Sequence, residues 1–182
     1  MIEIVPAREL VAVSGESVPV PDPDRLVHLQ FRRFAGCPVC NLHLHSIARR
    51  HAEITAAGVR EVVIFHSSAD ELRPHIDGLP FAVIPDPAKR LYAEFGVESA
   101  PRALLDPRVW PVIIAAVFRA LRTGQPAPPR PEGGRLGLPA DFLIGPDGRV
   151  PAVRYGKHAG DQWTVDELLA LVYRDGLLDG VQ

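Results

Sequence analysis

Cysteine is almost absent from this chain. Its 182 residues include two, Cys37 and Cys40, and they stand two residues apart. Nothing in the sequence suggests an oxidising compartment, so a static structural staple is the weaker reading of the pair. Charge of one sign is also missing. The net charge of −2 provides no basic field for nucleic acid or an anionic membrane. Long apolar runs are missing too: the longest, Val109 to Phe118, falls far short of the ~20 residues of a membrane helix. The first residues, Met1 to Pro6, have neither the basic start nor the apolar stretch of a signal peptide, and the expectation is a cytoplasmic protein. Seven histidines are scattered, with no ligand spacing beyond the group after Cys40. What is present is ordinary: 47% apolar and 23% charged residues, enough chain for one domain, 1–182, with a sizeable core.

The cysteines lie in Phe34-Ala35-Gly36-Cys37-Pro38-Val39-Cys40-Asn41-Leu42. The alternating Leu26-Val27-His28-Leu29-Gln30-Phe31 before them reads as a strand, and Leu44, Ile47, His51 and Ile54 after them recur at helical spacing. A C-x-x-C where a strand hands over to a helix reads as a redox site of the thioredoxin type. The first N–H groups of a helix lack partners and carry partial positive charge. A thiolate placed there is stabilised, and the thiolate is the attacking species. The second thiol, one turn along, can close a disulfide and release the product. Pro38 suits the first helical position. Two buried structural cysteines are the plain alternative. Zinc held by Cys37, Cys40, His43 and His45 is another. On one helix, however, Cys37 and His43 are roughly 9 Å apart along the axis and do not converge. The preferred attacker by helix-end logic is Cys37, expected at the helix start and facing solvent, with Cys40 on the more buried stripe.

Along the rest of the chain, residues 1–24 read as an opening hairpin, Leu10–Val13 against Val18–Val20. A strand over 26–34, the cysteine turn, a helix from Pro38 to about Ala57 closed by Gly58, and a strand over 60–66 form a parallel, right-handed unit. A short helix begins at Ser68, a strand covers 80–85, and a helix spans Asp86 to Gly96 with Asp86 as its cap. Residues 99–136 break this rhythm. They hold an apolar helix over 107–123, delayed or kinked by Pro111, and a Pro/Gly loop over 125–134. That helix is read either as core or as a lid or dimer surface beside the cysteines. A hairpin through Gly145-Pro146-Asp147-Gly148 and a final helix capped by Thr164 and Glu167 complete the chain.

This order resembles the CxxC-bearing, peroxiredoxin-like (AhpC/TSA-like) branch of the thioredoxin superfamily. Leu29 to Cys40, Phe81 to Val97, residues 99–136 and Phe142 to Val150 carry the likeness, which spans nearly the whole chain. The resemblance implies an α/β fold with a central mixed sheet flanked by helices, an N-terminal hairpin and a helical insertion at about 99–136. It implies an enzyme, a dithiol oxidoreductase cycling Cys37 and Cys40, with no metal or organic cofactor. Its partners would be a thioredoxin-like reductant, a protein or small-molecule disulfide, or a hydroperoxide, and a homodimer is compatible with it. Two alternatives stand beside it: a thiol peroxidase with Cys40 peroxidatic and Cys37 resolving, and a redox-switched interaction protein.

The chain departs from the family pattern twice. Arg33 stands where the peroxiredoxin motif has Pro, and Cys37 where it has Thr. Pro139 stands where a catalytic Arg is usual, and Gly137-Leu138-Pro139 is similar to the cis-proline loop that faces the cysteines of thioredoxins. The resemblance therefore makes Pro139 a third site residue and a cis Leu138–Pro139 bond an expectation. It also implies weak peroxide reduction, because the groups that polarise the O–O bond are replaced.

Overall fold

The computed structural model describes residues 2–97, 99–100, 102–124, 131 and 134–174. Part of the expected loop over 125–134 lies outside them. Strands β1 (Arg8–Val11) and β2 (Ser17–Val20) form the expected hairpin, a separate two-stranded sheet. Strand β3 (Leu26–Phe31) follows, then helix α1 (Pro38–Arg49), helix α2 (His51–Ala56) and strand β4 (Val59–Phe65). The single helix expected over 38–57 is thus two, broken at Arg50, whose φ of −110° leaves the helical range. Gly58 ends the second at φ 69°, as a glycine terminator does.

Helix α3 (Ala69–Leu72) begins with the Ser68 hydroxyl accepting the Glu71 N–H. Strand β5 (Ala82–Pro85) is followed by helix α4 (Arg90–Glu94), shorter than the helix expected from Asp86. Lys89 adopts φ 54° before it, so residues 86–89 form a turn. The Asp86 carboxylate reaches across that turn to the N–H groups of Arg90 (3.0 Å) and Leu91 (2.8 Å), capping from one turn further back than expected.

Helix α5 (Arg102–Leu105) is a short element that sequence periodicity does not disclose. A 3-10 turn at Pro107–Val109 leads into helix α6 (Trp110–Thr123), so the proline-rich entry delays the α-helix as expected. Strands β6 (Ala140–Ile144) and β7 (Ala152–Tyr155) and helix α7 (Val165–Arg174) follow. Thr164 and Glu167 cap α7 reciprocally: the Glu167 N–H donates to the Thr164 hydroxyl at 3.2 Å, and the Thr164 N–H to the Glu167 carboxylate at 2.8 Å.

The main sheet runs β5-β4-β3-β6-β7. Strands β3, β4 and β5 are parallel, and β6 and β7 run antiparallel, giving the expected mixed sheet. On one face Val27, Leu29 and Phe31 of β3 join Val62, Ile64, Phe142 and Ile144 under the hairpin and α4. On the other face, Leu26, Ile47, Ile54 and Leu143 pack with Trp163 and Leu168 at one end. At the opposite end Cys37, Cys40, Leu44, Val63 and Phe65 pack with Ala116 of α6. Both faces of β3 are buried, because α1 and α2 cover the side that a lone hairpin would leave wet.

Gly148 anchors the N-terminal segment to the β6–β7 turn. Its φ is +81°, and a Cβ there would stand 2.6 Å from the Val5 carbonyl oxygen. Gly15 has a similar φ of +88° with open space around it. Gly148→Ala should lower unfolding stability by about 2–3 kcal/mol and Gly15→Ala by about 1 kcal/mol, since only the first adds a clash to the backbone strain. Urea unfolding of the two variants checks this, and equal losses would contradict the steric account.

Candidate functional site

The turn after β3 delivers both thiols to the start of α1. Cys37 is the N-cap, extended at φ −61° and ψ 114°, and Pro38 takes the first helical position. The Cys40 N–H points at Cys37 Sγ from 3.4 Å. The two sulfurs are 2.7 Å apart and unbonded. Both are buried, Cys37 at 0% and Cys40 at 1% exposure. The expectation that Cys37 faces solvent therefore fails. Helix α6 lies over α1 through Val112, Ile113 and Ala116, and it roofs the cysteines. Its opposite face exposes Trp110, Ile114, Phe118 and Leu121. The helix thus serves as part of the core and as an apolar outer surface at once.

The environment treats the two thiols differently. Burial pushes Cys37 well above the ordinary thiol range, and its hydrogen bond to Cys40 and the charge of Cys40 push the same way. Burial also opposes ionisation of Cys40. The Cys37 hydrogen bond, the Arg33 guanidinium, the Arg33 backbone N–H and the Arg32 guanidinium outweigh it, and draw Cys40 down to about 7. The first proton the pair loses therefore leaves Cys40.

Beneath α1 lies a row of buried polar groups. His28, Gln30 and Arg32 are the alternate residues of β3 and its end, each at 0% exposure. Arg32 pairs with Asp141 of β6 at 2.6 Å, hydrogen-bonds Gln30, and approaches His43 Nε2 of α1 to 3.2 Å. Gln30 donates to Glu61 of β4. His28 Nδ1 lies 2.9 Å from Glu61, and its Nε2 lies 3.3 Å from Asp141. The other Asp141 oxygen accepts the Trp163 N–H at 3.0 Å. Burial alone would lower the His28 pKa, but Glu61 and Asp141 raise it to about 9. Burial alone would raise the Asp141 pKa, but Arg32 and His28 hold it well below the usual carboxylate range. Burial and Arg32 keep His43 neutral.

Arg33, next along the chain, is oriented otherwise. It is 3% exposed, its guanidinium donates to the Arg135 carbonyl, and its Cζ sits 5.3 Å from the Phe34 ring centroid. Gly137 stands close by: a Cβ there would come within 3.6 Å of Arg33 Cγ and 3.0 Å of His66 Nε2. At Pro139 the expected cis bond is not found. The Leu138–Pro139 bond is trans, and the cis bond of the described residues is Val20–Pro21. The Pro139 carbonyl accepts the Gly156 N–H at 2.8 Å, because this proline begins the β6–β7 pairing and does not form a separate cis loop. A groove of about 610 Å³ lined by Arg25, His51, Glu61 and Phe81 includes no residue of the cysteine turn.

Sequence reasoning found Cys37 and Cys40 and missed Arg32, Arg33, His28, Glu61 and Asp141 as a group. Polar residues alternating in a strand ordinarily mark a solvent face. Their only signal was charge in a strand whose neighbours on both sides are themselves strand-like.

Glu61 and Asp141 keep His28 charged in the folded state over a pH range where the unfolded chain has it neutral. The resulting stabilisation is complete below about pH 6.5 and lost as pH rises to about 9. For the oxidised protein, in which the thiols do not titrate, unfolding free energy should fall by on the order of 3 kcal/mol across that window. The slope should vanish in His28→Gln. Urea melts at a series of pH values test this, and a slope unchanged by the substitution would contradict it.

The AhpC/TSA antioxidant enzyme family matches residues 46–158, a stretch that begins six residues after Cys40. No curated protein matches the chain. Among solved structures, the peroxidoxin BcpB from Mycobacterium tuberculosis is similar over 94% of this chain and 95% of its own, at 17% identity and a TM-score of 0.68. The peroxiredoxin 6 of Arenicola marina, solved as a cysteine-to-serine mutant, is similar over 97% of this chain and 73% of its own, at 15% identity and a TM-score of 0.70. A putative thiol:disulfide interchange protein DsbE from Chlorobium tepidum is similar over 93% and 96%, at 18% identity and a TM-score of 0.59. These likenesses establish the thioredoxin-like fold. Among the described residues, no helix is long and apolar enough to cross a membrane.

Proposed function

The chain belongs to the AhpC/TSA antioxidant enzyme family, and from that membership we propose that it is a dithiol oxidoreductase that cycles Cys37 and Cys40 between dithiol and disulfide. The observation that carries this reading is the 2.7 Å separation of the two sulfurs at the start of α1. A disulfide needs ~2.05 Å, so closure takes a side-chain adjustment of under about 1 Å. Cys40, drawn toward neutrality, is the attacking thiolate, and Cys37, held protonated, is the resolving thiol. This reverses the order favoured by helix-end logic alone.

With a small disulfide, the Cys40 thiolate attacks one sulfur, forms a mixed disulfide and expels a thiolate. Cys37 then gives up its proton, attacks Cys40 Sγ and releases the second thiol. With a hydroperoxide, the thiolate attacks the terminal oxygen, the O–O bond breaks, and an alcohol leaves after taking a proton. Cys37 then attacks the sulfenic acid at Cys40, and water is released. Either route leaves a Cys37–Cys40 disulfide, which an external dithiol of the thioredoxin type returns to the starting state. Burial of both thiols under α6 supports small oxidants over the disulfides of folded proteins. Hydroperoxide reduction is the second reading. It is favoured by the thiolate's location at Cys40, the position that corresponds to the peroxidatic one, and by the Arg33 charge beside it.

Stopped-flow oxidation of the reduced protein separates these readings, with hydrogen peroxide and hydroxyethyl disulfide compared. Cys40→Ser should slow the first step by at least about 10²-fold with either oxidant. Cys37→Ser should keep that step and trap a sulfenic acid or a stable mixed disulfide. A Cys40→Ser variant that reacts at the parent rate would refute the assignment of roles. Parent protein inert to both oxidants would refute the enzyme reading.

A further inference from the structure

Two adjacent arginines enter the interior at the end of β3, and only one has a carboxylate. Arg32 pairs with Asp141 at 2.6 Å, and both are 0% exposed. Arg33 is 3% exposed, and among the described residues it has no carboxylate within ion-pair distance. The single hydrogen bond of its guanidinium among those residues goes to the Arg135 carbonyl, and its Nε is buried without a partner. Phe34 lies at cation–π range of the guanidinium. A buried cation without a counter-ion costs several kcal/mol, so charges in protein interiors are paired. Anions near Arg33 are few. Phe34 packs in the same buried cluster as Cys37 and Cys40, so the guanidinium over its ring lies beside the thiols, and its charge draws the Cys40 pKa down.

We propose that Arg33 is the fixed counter-ion of the Cys40 thiolate, supplied by the turn that follows β3 and held in place by Phe34 and the Arg135 carbonyl. The idea rests on the dithiol reading above and extends it. It names a positioning residue at the position where the family motif has proline. The other groups facing Cys40 are accounted for. Arg32 is neutralised by Asp141, His43 on the same helix is neutral, and Cys37 keeps its proton. Burial holds the Tyr92 phenol, which hydrogen-bonds the Arg32 carbonyl, well above its ordinary range, so it too is uncharged. His66 lies across Gly137 from Arg33.

One consequence concerns the redox couple. Disulfide formation removes two electrons and the Cys37 proton from the pair, and with them the only negative charge at Cys40. Arg33 is then buried without a counter-ion. The reduced state is favoured, and the couple is a better oxidant than one without Arg33.

The test uses Arg33→Gln and Arg33→Lys in the Cys37→Ser background, with thiolate absorbance and iodoacetamide alkylation followed against pH. Arg33→Gln should shift the Cys40 titration upward and slow alkylation at pH 7 about tenfold, while Arg33→Lys stays within about threefold of the parent. With both cysteines present, Arg33→Gln should move the disulfide equilibrium in a glutathione buffer about tenfold toward the disulfide. An unchanged titration in folded Arg33→Gln would overturn the proposal. A second pair of variants leaves Arg33 intact and serves if Arg33→Gln does not fold. Cys40→Asp should melt above Cys40→Asn at pH 7 if an unpaired guanidinium awaits an anion, and melting below it would overturn the proposal. The titration, alkylation and melting measurements use no oxidising substrate. A protein inert toward peroxides and disulfides fails the function proposed above and can still pass here.

Discussion

The Arg32–Asp141 ion pair ties together every element that positions the thiols. It crosses from β3 to the neighbouring antiparallel β6, with both side chains fully buried at 2.6 Å. A charge pair taken out of water is stable only when geometry and further hydrogen bonds compensate for lost hydration. Here the compensation comes from three directions. Gln30 bonds Arg32 within the strand, His43 meets it from α1, and the Trp163 N–H meets Asp141 from the segment entering α7. His28 and Glu61 extend the row into β4, so that two carboxylates face one guanidinium and one imidazolium. The formal charges cancel, and no member can move alone. His43 is one helical turn beyond Cys40, so its contact with Arg32 fixes the rotation of α1 about its axis. That rotation sets the direction in which the Cys40 sulfur points.

The fold was legible where local rules and burial agreed. The C-x-x-C at a strand end, the Pro38 helix start, the Ser68 and Thr164 caps and the Gly145–Gly148 turn each announce a local geometry, and each is found. The failures share a physical cause. The break at Arg50 interrupts an apolar stripe that runs on through Ile54, because the stripe reports burial and not backbone continuity. In the sequence Asp86 has the place of an adjacent cap, but its side chain works across a left-handed Lys89 that no periodicity reveals. At the site, the two sulfurs were legible and their electrostatics were not. His28, Gln30 and Arg32 alternate with apolar residues as a solvent-facing strand would. Only the helix laid over them converts that pattern into a buried network.

Position 33 shows how a departure from a family pattern can carry chemistry. Set against the family motif, Arg33 and Pro139 read as losses: a proline gone from one place and an arginine from another. In three dimensions the guanidinium is not absent. It comes from the segment between β3 and the cysteines, and its charge draws the Cys40 pKa down. A linear motif records where along the chain a group is attached, whereas a thiolate responds to distance and dielectric alone.

Burial then acts on the site in two opposed ways. Removing Cys40 from water disfavours its thiolate, and by itself would leave an inert thiol. The same removal strengthens the interaction with each nearby cation, because little water is present to screen it. Which effect prevails depends on the balance of fixed charge. Asp141 cancels Arg32, so that guanidinium alone would leave burial in control, and Arg33 shifts the balance. Helix α6 is therefore more than a cover. By placing small residues such as Ala116 and Ala120 toward α1, it excludes water closely enough for the Arg33 charge to act at short range. The same enclosure shields the Cys40 sulfur from solvent and favours its ionised form.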